Sequence, residues 1–126
     1  MFWGVGEDGS DLAVKIYLVS TAEFKRRLPY IIGDPRFKRI EKGSRKLVEL
    51  WARKEFRNLA TAHESGISVP KPYAVKNNVL VMEFVGDNGK PAPLLCETGV
   101  AKKDYSTILS ILKKMYREAK LVHAVL

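Results

Sequence analysis

The sequence predicts an α+β fold: a twisted antiparallel sheet carrying one long helix, followed by a linker and one further helix. Three observations predict it. Loosely alternating apolar segments lie within residues 1–19 and again within 73–85, each pair broken by a turn signal. Between them, residues 44–65 repeat apolar side chains at helical spacing. After them, Gly86-Asp87-Asn88-Gly89-Lys90-Pro91-Ala92-Pro93 interrupts regular structure before a last helical pattern.

At 126 residues the chain is the size of one domain and long enough to bury a core. With 46% hydrophobic and 29% charged residues it reads as globular, neither disordered nor fibrous. Its longest apolar runs, such as Val79-Leu80-Val81-Met82, are far too short to span a bilayer, so no membrane association is expected. The first residues carry no secretion signal, and a single cysteine, Cys96, closes no internal disulfide; both fit a cytoplasmic protein. Two histidines and one cysteine offer no zinc site. The 22 Lys and Arg against 14 Asp and Glu give a net charge of +8, which favours polyanionic partners such as a nucleotide or RNA. A basic protein without such a partner is the plain alternative.

Taken in order, residues 1–6 form a first strand through Phe2, Trp3 and Val5, and Glu7-Asp8-Gly9-Ser10 supplies a turn into a second strand over 11–19. On that strand Leu12, Val14, Ile16 and Leu18 share one face, while Ala13, Lys15, Tyr17 and Val19 share the other. Lys15 is the anomaly. An ammonium among apolar neighbours costs free energy unless a carboxylate or phosphate meets it, and the small Ala13 beside it leaves room for a ligand.

Residues 21–43 lose periodicity, with Pro29, Gly33, Pro35 and Gly43 breaking any long helix and Lys25, Arg26, Arg27, Arg36, Lys38 and Arg39 clustering. The expectation is a short helical start near 22–27 and a mobile basic loop over 24–43, either functional or a solvated insert. Ser44 then caps a helix to about Ser65, ended by Gly66 and closed off by Pro70 and Pro72. Val48, Trp51, Glu55, Leu59 and Ala62 fall on one face of it. Glu55 is the charged member of that stripe, opposite in sign to Lys15.

Tyr73-Ala74-Val75-Lys76, the turn pair Asn77-Asn78 and Val79 to Val85 read as a second hairpin. Residues 86–93 then read as extended and turn-rich, and 86–102 as a hinge and linker. The last helix, roughly 103–119, presents Ile108, Leu109, Ile111, Leu112, Met115, Tyr116 and Ala119 as a broad apolar surface. If Lys15 and Glu55 pair, the ion pair ties the helix to the sheet and holds an ammonium where it can reach a polyphosphate. An ordinary partly buried salt bridge is the other reading of these two residues.

More of the chain bears on that choice. Ala13-Val14-Lys15 resembles the Ala-x-Lys of protein kinases, Glu55 falls where their helix glutamate falls, and Met82-Glu83-Phe84-Val85 resembles their hinge. The finer pattern is similar to the RIO family of atypical serine/threonine protein kinases, the first-described subfamily in particular. It is carried by Leu12-Ala13-Val14-Lys15-Ile16-Tyr17, Gly33-Asp34-Pro35-Arg36-Phe37, Trp51-Ala52-Arg53-Lys54-Glu55-Phe56-Arg57-Asn58-Leu59, Val69-Pro70-Lys71-Pro72, Val81-Met82-Glu83-Phe84-Val85-Gly86 and Ala119-Lys120-Leu121-Val122-His123-Ala124. The resemblance implies a kinase-like amino-terminal lobe over 1–85, a hinge and linker over 86–102, and the first helix of a second lobe over 103–126. It implies ATP and Mg²⁺ as cofactors, with Lys15 on the nucleotide phosphates and Glu55 orienting Lys15. The Glu83 carbonyl and Val85 N–H would read the adenine edge, and Met82 would line the back of the pocket.

The chain also departs from that family's pattern. The phosphate-covering strand and turn that open such kinases have no counterpart before Phe2-Trp3-Gly4, and Val125 stands where His-Ala-Asp would place the catalytic aspartate. A valine neither accepts a hydroxyl proton nor binds a metal. The expectation is therefore an ATP-binding portion that transfers no phosphoryl group by itself, with His123 a structural residue and self-association through residues 104–122. The resemblance further implies a link to small ribosomal subunit maturation. Two other readings stand beside it: a non-catalytic basic module on ribosomal RNA or a pre-ribosomal particle, using Arg36, Lys38, Arg39, Lys42, Arg45 and Lys46, and an inactive gene fragment.

Overall fold

Two glycines and an aspartate shape the first turn of the sheet. In the computed structural model, which describes residues 1–18 and 45–117, β1 (Phe2–Val5) and β2 (Asp11–Ile16) pair antiparallel. Between them the Gly6 N–H donates to the Ser10 carbonyl at 2.8 Å and the Gly9 N–H to the Gly6 carbonyl at 3.0 Å. The Asp8 carboxylate accepts from the Ser10 N–H at 3.0 Å and from the Ser10 hydroxyl at 2.6 Å, the local bonding that suits Asp to turns.

A second hairpin joins β3 (Pro72–Lys76) to β4 (Val79–Glu83), with Asn77 left-handed at φ 52° in the turn. Asparagine tolerates that conformation better than most residues. β4 lies between β2 and β3, giving the strand order β1-β2-β4-β3. The register sets Ala13 opposite both Trp3 and Met82, and Lys15 opposite Leu80. Because side chains alternate across a strand, these five residues project from one face of the sheet, with Lys15 on an inner strand as its sequence predicted.

The long helix, α1 (Arg45–Glu64), covers that face. Leu47, Val48 and Ala52 from the helix meet Ala13, Tyr17, Leu80 and Met82 from the strands, and Trp51, Phe56 and Leu59 pack around them. Leu47, Ala52 and Phe56 lie outside the single row of spacings that marked the stripe in the sequence. A helix laid on a twisted sheet buries an arc wider than one row, which accounts for them. The helix ends in a Schellman motif. The Gly66 N–H donates to the His63 carbonyl at 2.9 Å and the Ile67 N–H to the Ala62 carbonyl at 3.0 Å, with Gly66 at φ +68°.

Residues 86–93, read from the sequence as extended and turn-rich, fold back on themselves: β5 (Gly86–Asp87) and β6 (Lys90–Pro91) form a small hairpin, followed by the single helical turn α2 (Leu95–Thr98). Asn88 at φ 50° and Gly89 at φ 72° supply the two left-handed residues that a tight hairpin requires. Gly86 allows the strands to meet, since a Cβ there would collide with the Lys90 carbonyl oxygen and lie 2.9 Å from the Pro91 Cα.

A 3₁₀ turn (Lys102–Asp104) leads into α3 (Tyr105–Arg117). Met115 and Leu112 pack with Ala62, Ile67 and Val69, and the Lys114 Nζ donates to the Gly66 carbonyl at 2.9 Å. The predicted apolar surface is thus divided: part of it docks on the end of α1, while Leu109 and Tyr116, together with Tyr105 at the helix start, remain more than half exposed. The basic loop expected over 24–43, its helical start at 22–27, and His123 and Val125 lie outside the described residues.

Candidate functional site

The two charges that stood out in the sequence meet. Lys15 Nζ lies 2.9 Å from Glu55 Oε1 and 3.1 Å from Glu55 Oε2, and the side chains keep 25% and 22% of their exposure. Each element delivers its residue for a local reason. Strand alternation directs Lys15 toward α1, and Glu55 lies between Ala52 and Leu59 on the helix face packed against the sheet. A pair this open to water contributes about 1 kcal/mol or less, so its geometry matters more for positioning than for holding the fold.

A third residue completes the arrangement. Tyr17 follows Lys15 by two positions, one residue past the end of β2, and its hydroxyl donates to Glu55 Oε2. Its ring centroid lies 5.1 Å from Lys15 Nζ, within the range of a cation–π contact. Asn78 fixes the backbone at this point: the Tyr17 N–H donates to the Asn78 carbonyl and Asn78 Nδ2 donates to the Tyr17 carbonyl, both at 2.8 Å. An ammonium carries three donors, and Glu55 occupies two directions.

Met82, with 7% exposure, stands beside Ala13 across the strands. The segment after it is braced from two sides. The Glu83 N–H donates to the Lys71 carbonyl at 2.8 Å while Glu83 Oε2 accepts from the Lys71 N–H at 3.0 Å. Val85 accepts the Ala92 N–H at 2.9 Å through its carbonyl, and among the described residues its own N–H donates to no protein acceptor. Trp3 closes the other side of this region: its Nε1 donates to Asp11 Oδ1 at 2.9 Å and its indole lies against Gly89 of the β5–β6 turn.

The structure thus brings Lys15, Glu55 and Met82 to one side of the sheet and places Glu83 and Val85 in the strand end and connection that follow. Sequence reasoning placed Tyr17 on the correct face but assigned it no role, and it gave Trp3 none either. The available signals were the two-residue spacing of Tyr17 from Lys15 and the Asn88-Gly89 pair, which would have brought a hairpin near β1. Among the described residues, no three His, Cys, Asp or Glu side chains cluster to hold a metal ion. No helix among them is long and apolar enough to cross a membrane.

An antiparallel sheet with a strand lysine paired to the glutamate of a covering helix, followed directly by a hinge-like connection, defines a protein-kinase-like amino-terminal lobe. The family model for the RIO domain matches residues 1–126, and the chain belongs to that family. It is 43% identical to the serine/threonine-protein kinase RIO1 of Caenorhabditis elegans, over 98% of this chain and 26% of that protein. It is 41% identical to the RIO-type serine/threonine-protein kinase Rio1 of Haloferax volcanii, over 98% of this chain and 43% of the relative. The corresponding protein of Methanocaldococcus jannaschii is 44% identical over 88% of this chain and 39% of its own length. The chain therefore spans less than half the length of these relatives.

Proposed function

We propose that this chain is the ATP-holding portion of a RIO-type serine/threonine kinase or ATPase. The observation that carries the proposal is the Lys15–Glu55 pair at 2.9 Å, a partly exposed ammonium held in place by a carboxylate forty positions away. Lys15 binds the nucleotide phosphates and Glu55 orients it. Met82 and Ala13 form the apolar side of the adenine pocket, and the Glu83 carbonyl and the Val85 N–H read the adenine edge. The bonding of Val85 supports this role, since its carbonyl accepts from the Ala92 N–H while, among the described residues, its N–H has no protein acceptor. Mg²⁺, which the kinase relatives imply, would neutralise charge on the nucleotide phosphates that Lys15 holds.

In this reading residues 1–85 form the nucleotide lobe, 86–102 the hinge and linker, and 103–126 the start of a second lobe. Val125 stands at the position where the family resemblance expects the catalytic aspartate, and the function proposed for these 126 residues is nucleotide binding. Calorimetric titration with ATP and Mg²⁺ tests it: saturable binding that Lys15→Ala abolishes supports the reading, and equal binding by both proteins refutes it.

The net charge of +8 favours a second contact, with ribosomal RNA or a pre-ribosomal particle in the cytoplasm. Its affinity should fall steeply with salt while nucleotide affinity changes little; a flat salt dependence refutes it. Self-association through residues 104–122 draws support from the exposed Tyr105, Leu109 and Tyr116. Light scattering that shows a monomer at high concentration refutes that part.

A further inference from the structure

We propose that Tyr17 is a positioning residue for the phosphate-holding lysine, acting through its hydroxyl on Glu55; the proposal rests on the ATP-holding reading of Lys15 given above. The geometry has three parts. Tyr17 is anchored more firmly than either charged partner: it is 8% exposed, its ring is in the core, and Asn78 holds its backbone through two hydrogen bonds of 2.8 Å. Its hydroxyl donates to Glu55 Oε2, the oxygen that lies farther from Lys15 Nζ, at 3.1 Å against 2.9 Å for Oε1. The ring itself lies 5.1 Å from Nζ and offers its negative face to the ammonium.

Glu55 has three rotatable side-chain bonds and 22% residual exposure, so a single ion pair leaves it free to turn toward water. A donor fixed in the sheet removes that freedom. It holds Oε1 toward Lys15 when a polyphosphate draws the ammonium away, and keeps the remaining N–H of Lys15 directed at the ligand. The hydroxyl therefore acts on the phosphate end of the site alone. Tyr17 lies just beyond the Ile16–Val79 pairing, at the opposite end of β4 from Met82 and Glu83, so the recognition of adenine should not depend on it.

Tyr17→Phe retains the buried ring and removes only the donor. Calorimetry with ATP–Mg²⁺ and with adenosine, each on wild type and Tyr17→Phe, separates positioning from damage to the fold. The expected result is a roughly threefold to tenfold weaker affinity for ATP with adenosine affinity unchanged. A parallel loss for both ligands, or no loss for either, overturns the proposal.

A second measurement needs no nucleotide. Acetylation of Lys15 by a water-soluble active ester, followed by mass spectrometry, should be severalfold faster in Tyr17→Phe, because a loosened carboxylate no longer shields the ammonium. Unchanged labelling overturns the positioning role even if ATP binds. Faster labelling together with no ATP binding by wild type upholds the Tyr17 contact and removes only the nucleotide reading.

Discussion

Lys15 and Glu55 are separated by forty positions in sequence and by 2.9 Å in space, and together they link the central strand to the long helix over it. Because both side chains keep about a quarter of their exposure, water screens the pair and also softens the penalty of losing one member. Glu55→Gln should cost about 1 kcal/mol of stability, a shift of about 4 °C in Tm. Differential scanning calorimetry checks this. A loss several times larger would mean that the pair supports the fold itself.

Leu80 is the opposite case. It is fully inaccessible to solvent, stands opposite Lys15 on the neighbouring strand, and packs in the core beneath α1. Leu80→Ala removes apolar contacts and leaves a cavity, at a cost of about 3 kcal/mol. Urea unfolding should show a lower midpoint with an unchanged slope, and a midpoint within error of wild type contradicts the packing described.

Gly66 ends α1 in a left-handed conformation at φ +68°, and a Cβ there would stand 3.3 Å from Lys114 Nζ. Gly66→Ala should therefore destabilise by about 1 kcal/mol, through backbone strain and through displacement of the lysine that bonds the Gly66 carbonyl. Lys114→Met separates the two effects, since it removes the hydrogen bond without straining the backbone. Thermal unfolding should rank Gly66→Ala below Lys114→Met.

Asp8 carries the pH dependence that the first turn predicts. The Ser10 hydroxyl, and next the Ser10 N–H, hold its carboxyl below the usual value of 3.8. A carboxylate depressed in the folded state contributes stability above its unfolded pKa, and that contribution is lost as pH falls through the lower, folded value. The turn should therefore weaken only in acid, below the ordinary Asp range. Carbon-detected NMR of the Asp8 carboxyl should show its midpoint moving up toward 3.8 in Ser10→Ala; an unmoved midpoint refutes the assignment.

Both hairpins, the long helix and its end at Gly66 were legible because each depends on local signals: alternation, periodicity, a left-handed glycine and paired prolines. The Lys15–Glu55 contact was legible for a different reason. Two charges of opposite sign each interrupted an apolar face, and burial makes such interruptions costly when they stand alone. The β5–β6 hairpin was missed although Asn88-Gly89 announces it, since three prolines and glycines nearby favoured an extended reading. Tyr17 was missed as a site residue because a tyrosine on a strand face is ordinary until the helix above it is known to bring a carboxylate within reach. The extra core positions Leu47, Ala52 and Phe56 depend on how α1 lies across the sheet, which a sequence period does not specify.

The central claim is that the Lys15–Glu55 pair is arranged for a polyphosphate. The most direct test is calorimetric titration of the 126-residue chain with ATP–Mg²⁺, comparing wild type, Lys15→Ala and Glu55→Gln. The account predicts saturable binding by wild type, at least tenfold weaker binding by Lys15→Ala, and an intermediate loss for Glu55→Gln, all three proteins being folded by circular dichroism. Equal ATP affinity in all three folded proteins would contradict it and leave the pair an ordinary salt bridge between a strand and a helix.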